Sequence, residues 1–130
     1  IIPLLKKLKD NNIKIGLISN CFSEEAKLIR ESILFPYFDV AMLSYEQGVK
    51  KPDEEIYRRC MKELNVAPEE CLYVGDGGSF ELETAQALGM YPLQATWYLK
   101  EGVSQQIKRK AEFLQAASPL DVISEINRRW

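Results

Sequence analysis

Short apolar runs alternate with amphipathic stretches along almost the whole chain, and this alternation is what most limits the possible folds. Leu4, Leu5 and Leu8 share one helical face, with Lys6, Lys7 and Lys9 on the other. Asp10-Asn11-Asn12 ends that helix, and residues 13–18 read as a buried strand. Ser23 is placed to cap a helix over 24–32 that turns Ala26, Ile29 and Ile33 inward. Residues 38–43 read as a weaker strand, and Pro52 stands at the start of a helix over 53–64. A strand over 71–74, a helix over 79–88 and a strand over 92–95 follow. Then come a loop at 100–102, a short helical piece at 107–110, a strand over 113–116 and a last helix from Ser118-Pro119 to about Arg128. Strands that alternate with helices favour a parallel sheet covered on both faces, a doubly wound α/β fold.

In such sheets ligands bind at the carboxyl ends of the strands, so the residues just past each apolar run carry the functional information. After the first run stand Ser19 and Asn20, a hydroxyl and backbone amides suited to an anion's oxygens, or equally to a turn and helix cap. After the second comes "GVKKPDEEIY", where Lys50 and Lys51 precede Pro52; they suit a phosphate or a solvated surface. After the third comes Asp76 in "YVGDGGSFELETAQALGM", with Glu81 and Glu83 beyond it. Carboxylates there suit a hard divalent cation such as Mg²⁺, although a turn acid and first-turn helix acids would look the same. Together a hydroxyl, a lysine and an acid cluster at successive strand ends make a phosphate-plus-Mg²⁺ set.

Composition removes other chemistries. The chain of 130 residues contains no histidine, so Ser-His-Asp and Cys-His catalysis and imidazole zinc sites are excluded within it. Its length fits a single domain over 1–130, and its net charge of −2 gives no footprint for nucleic acid or an anionic membrane. No apolar run reaches the roughly 18 residues of a membrane-spanning helix. Three scattered cysteines, Cys21, Cys60 and Cys71, are expected to be reduced, as in a cytoplasmic protein. The opening Ile1-Ile2-Pro3 suggests a start partway through a longer protein.

The order of the three strand ends resembles the haloacid dehalogenase-like (HAD) superfamily, hydrolases acting mostly on phosphate esters. "IGLISN" is similar to the family's second motif, "GVKKPDEEIY" to its third and "YVGDGGSFELETAQALGM" to its fourth. The resemblance implies a Rossmann-like core and a phosphatase of small phosphorylated metabolites working through an aspartyl-phosphate. It implies that Ser19 and Asn20 bind phosphoryl oxygens, that Lys51 rather than Lys50 neutralises charge, and that Asp76 and Glu81 serve Mg²⁺. Glu81 stands where the family usually has Asp, and Glu83 is expected on solvated helix surface. Dehalogenase members need no metal and lack the GD pair, so the retained Gly75-Asp76 favours phosphatase.

The family's first motif, an apolar strand followed by D-x-D, supplies the nucleophile, and no D-x-D occurs in this chain. The helical cap is missing as well. The expected partners are therefore an N-terminal strand and cap segment, without which residues 1–130 should fold poorly and catalyse nothing. A HAD-like binding module without catalysis is the alternative. A receiver domain would carry its acids first, against the order here, and no G-x-G-x-x-G follows a strand to suggest a dinucleotide site.

Overall fold

A computed structural model describes residues 1–97 and 109–130, which pack as two compact units, Ile1–Ala67 and Pro68–Trp130. The loop expected at 100–102 and residues 107–108 of the expected helical piece lie outside the described residues; Arg109 and Lys110 are not helical.

The first unit begins with α1 (Ile2–Asp10), which buries Leu4, Leu5 and Leu8 and ends at Asn12 in a left-handed turn. Next come β1 (Gly16–Ser19), α2 (Ser23–Glu31), β2 (Val40–Leu43), the single turn α3 (Ser44–Gln47) and α4 (Glu54–Leu64). β1 and β2 pair in parallel, Gly16 opposite Val40 through Ser19 opposite Leu43. α4 packs on both strands, with Ile56, Tyr57, Cys60 and Met61 buried. It lies so close to β1 that a Cβ on Gly16 would come within 2.8 Å of the Cys60 Sγ. Asp53, read as the first residue of this helix, instead caps it by accepting the Glu55 N–H.

The second unit contains β3 (Leu72–Gly75), α5 (Glu81–Ala87), β4 (Tyr91–Ala95), β5 (Leu114–Ala116) and α6 (Asp121–Arg129). Its sheet runs β3-β4-β5, all parallel. α5 packs against β3 and β4. β1 and β3 each stand at the edge of their own sheet among the described strands. The open parallel α/β architecture is the one expected from the alternation.

Several local readings need correction. The last helix starts at Asp121, not at Ser118-Pro119, because the Asp121 carboxylate holds the Ser118 N–H ahead of the helix. The first strand starts at Gly16 rather than Ile13, because Asp39 captures the Ile15 N–H at 2.7 Å before the ladder begins. Leu17, Ile18 and Ser19 are half-buried and Gly16 is exposed, rather than buried. α2 starts at Ser23 itself, and the Glu25 carboxylate, not the Ser23 hydroxyl, closes its first turn by accepting the Phe22 N–H. Ile33 lies past the end of α2 and is 74% exposed, because the helix stops at Glu31 before another turn could carry it inward. The third helix does not begin at Ser79. Residues Gly78–Phe80 form a short 3-10 turn, with Ser79 and Phe80 both left-handed, and α5 starts only at Glu81.

Candidate functional site

Two strand-end loops, one in each unit, hold the residues singled out from the sequence. In the first unit Ser19 is the last residue of β1 and is half-buried. Asn20 then turns its side chain onto the backbone of Lys51. Its Nδ2 donates to the Lys51 carbonyl at 3.0 Å, and its Oδ1 accepts the Lys51 N–H at 2.8 Å. This reciprocal pair fixes the Lys-Pro turn against the end of β1, so the structure does bring the second and third motif residues together. Lys51 is half-buried while Lys50 is exposed. On the far side of the loop the Ser44 hydroxyl accepts the Cys21 N–H at 2.8 Å and donates to the Cys21 carbonyl at 3.2 Å. The sequence points to the backbone amide of Asn20 as its contribution. Its side chain is a second component, and a partner 31 residues away left no local signal.

In the second unit Asp76 immediately follows β3. Its Oδ1 accepts the Gly78 N–H at 2.9 Å, a local turn that fixes the side chain, while its Oδ2 takes no hydrogen bond from any described residue. Gly77 follows with φ of 101°, a backbone conformation that glycine adopts without strain. Glu81 lies behind this turn, only 4% exposed. Its Oε2 accepts the Gly77 N–H at 2.9 Å and its Oε1 accepts the Tyr73 hydroxyl at 2.7 Å. The carboxylate fills the space above Gly75 so completely that a Cβ there would sit 2.5 Å from the Glu81 Cδ. The Gly-Asp pair therefore has a steric reason: glycine makes room for the acid that ties the turn carrying Asp76.

Glu83 is only partly solvated and is paired. Its Oε2 meets the Lys110 Nζ at 2.6 Å, and the same ammonium lies 5.5 Å from the centre of the Phe80 ring. Desolvation is the largest single influence and opposes the charge on Glu83, but the hydrogen bond from Lys110, one from the Glu83 backbone and the Lys110 charge together hold the carboxyl below its usual range. The chain positions Glu83 at the third residue of α5, facing the Lys110 segment.

One carboxylate oxygen on a fixed turn suits Mg²⁺, which takes one or two protein carboxylates and keeps several waters. No group of three or more Cys, His, Asp or Glu able to hold a metal exists among the described residues. The cysteines are unbridged, and burial pushes the Cys71 thiol up, away from reactivity. No described helix is long and apolar enough to cross a membrane.

Residues 1–89 match the model of haloacid dehalogenase-like hydrolases. The chain is 36% identical over 91 residues to the rhythmically expressed gene 2 protein of Drosophila melanogaster, an alignment covering 68% of this chain and 35% of that protein. It is 34% identical over 92 residues to the glyceraldehyde 3-phosphate phosphatase of Methanopyrus kandleri, covering 69% of this chain and 39% of the relative. The chain thus spans little more than a third of the curated relatives it matches. Among solved structures, a HAD phosphatase from Thermococcus onnurineus superposes with a TM-score of 0.79 at 21% identity, over 96% of this chain and 55% of that one. At that identity the likeness establishes the fold alone, and it is the fold read from the alternation of strands and helices. With the family match extending from α1 to the end of α5 and spanning all three strand-end motifs, this chain belongs to the haloacid dehalogenase-like hydrolases.

Proposed function

We propose that these residues are the core of a Mg²⁺-dependent phosphatase acting on a small phosphorylated metabolite. The observation that carries the reading is the loop at Asp76. A carboxylate with one oxygen left open is held at a strand's carboxyl end by a buried acid whose own oxygens are both engaged. Such a construction is elaborate for a surface turn and suited to a hard cation. In this reading Asp76 holds Mg²⁺ through Oδ2, and Glu81 keeps the Asp76 turn in place from behind. The bound ion offsets negative charge at the phosphoryl group.

The Ser19 hydroxyl and the Asn20 N–H bind phosphoryl oxygens. Lys51, fixed by the Asn20 side chain, neutralises charge on the phosphate and on the attacking carboxylate. The nucleophile is an Asp outside these 130 residues, in-line attack by which forms an aspartyl-phosphate that water hydrolyses. The phosphatase activity of the Methanopyrus kandleri relative supports the same reaction class.

The two adjacent lysines offer the test. In the full-length protein, Lys51→Ala should lower phosphomonoester hydrolysis by at least a hundredfold with the fold intact by circular dichroism. Lys50→Ala should leave the rate within twofold. Equal effects of the two substitutions would remove the assignment.

A further inference from the structure

Asp76 is held by a second group that none of the motifs contains. Gln94, on β4 opposite Gly75 in the ladder, is 0% exposed. Its Nε2 donates to the Asp76 carbonyl at 2.9 Å. Its Oε1 accepts the Lys110 N–H at 2.7 Å and the Gln115 Nε2 at 3.2 Å. The same carboxamide closes the space over Gly77, where a Cβ would sit 3.0 Å from Nε2. A buried carboxamide must have its partners or lose the energy of burying a polar group, so Gln94 is fixed by what it holds.

We infer that Gln94 is a positioning residue for the metal-binding carboxylate of Asp76, an inference that rests on the phosphatase reading above. Asp76 can deliver Oδ2 to a cation in one direction only if both its backbone and its side chain are fixed. Gly78 fixes Oδ1, and Glu81 fixes the next N–H along the chain. The Asp76 carbonyl is the remaining free element of the turn, and Gln94 takes it. The two clamps differ in origin: Glu81 arises from α5 below the turn, whereas Gln94 reaches across from the neighbouring strand. Through its Oε1 it also gathers the Lys110 segment, whose side chain then pairs with Glu83 and covers Phe80. Holding the carbonyl does not touch the cation, so the effect should appear in metal affinity.

The test is Mn²⁺ binding to the full-length protein, followed by the loss of the free-ion paramagnetic resonance signal. Gln94→Met has nearly the same shape and can neither donate to Asp76 nor accept from Lys110. It should weaken Mn²⁺ binding about tenfold, the lower end for losing a partner behind a ligand. Gln94→Asn, smaller and still able to hydrogen-bond, serves if Met disrupts folding; its arm is too short to span both partners, and the same weakening is expected. A residue that merely fills the core would lower the melting temperature and leave Mn²⁺ affinity within twofold of the parent, and that result would overturn the inference. A parent protein that bound no Mn²⁺ would overturn the metal reading and this inference with it.

Discussion

The loops after β1 and β3 have the same task, presenting a polar group at the carboxyl end of a strand, and they achieve it by opposite means. The loop after β1 is tied by neutral hydrogen bonds between half-buried groups, Asn20 with Lys51 and Ser44 with Cys21. The loop after β3 is tied by a buried carboxylate, a buried carboxamide and glycines with no room for a Cβ. Neutral hydrogen bonds near water contribute modestly and can be exchanged for solvent, whereas buried polar groups lose heavily when one partner is removed. The first loop should therefore tolerate change that the second does not. In the proposed function the first loop receives an anion on backbone amides and can adjust to it. The second would have to deliver one carboxylate oxygen to a small cation and could not.

That contrast can be broken at several points. The largest loss is expected for Gly75→Ala, because the new methyl overlaps the Glu81 carboxylate and the tie to Gly77 must move with it. Urea denaturation should show about 3 kcal/mol less stability, the upper part of the range for overpacking. Tyr73→Phe comes next. It removes a buried hydroxyl that donates to Glu81 and should cost about 2 kcal/mol, as for hydrogen bonds to charged groups. Asn20→Ala removes two hydrogen bonds from the first loop and yet should cost only about 1 kcal/mol, since water can replace the lost groups. Equal losses for Tyr73→Phe and Asn20→Ala would end the proposed contrast.

The smallest effect is electrostatic. The Lys9 ammonium and the Ile15 N–H hold Asp39 below its usual range, and Lys110 holds Glu83 low against desolvation. A carboxyl whose folded-state pKa is lowered contributes stability that is fully present above its unfolded value, about 4. That contribution disappears as pH falls through the folded value. Carboxyl chemical shifts followed by NMR should therefore show Glu83 titrating below an ordinary Glu, and Lys110→Met should return its midpoint upward. Both pairs are about a third exposed, so the effect on stability between pH 5 and pH 3 should be slight.

Much of the fold is legible in the chain because strand runs and helix patterns each report a local period. The leucines of α1, the helix after Pro52 and the placement of Ser19 and Asp76 at strand ends all follow from residues close in sequence. What escapes is non-local or conformationally unusual. Asp39 shortens β1 from 24 residues away, and Lys51 is the partner of an Asn whose side chain reads as a turn residue. Ser79 and Phe80 adopt left-handed backbone that neither residue type signals, so the start of α5 is displaced to Glu81. Gln94 in "YPLQA" is one polar residue in an apolar run, and only the pairing of β3 with β4 places it beside Asp76. Glu83 reads as a surface acid because Lys110 lies 27 residues beyond it.

The most direct test of the central reading is phosphate release from a panel of phosphorylated metabolites by the full-length protein, titrated with Mg²⁺, for the parent and for Asp76→Asn. A Mg²⁺-dependent rate in the parent, with the Asp76→Asn variant folded and at least a hundredfold slower at every Mg²⁺ concentration, is the expected result. Hydrolysis that proceeds equally in EDTA, or an Asp76→Asn variant as active as the parent, would contradict it.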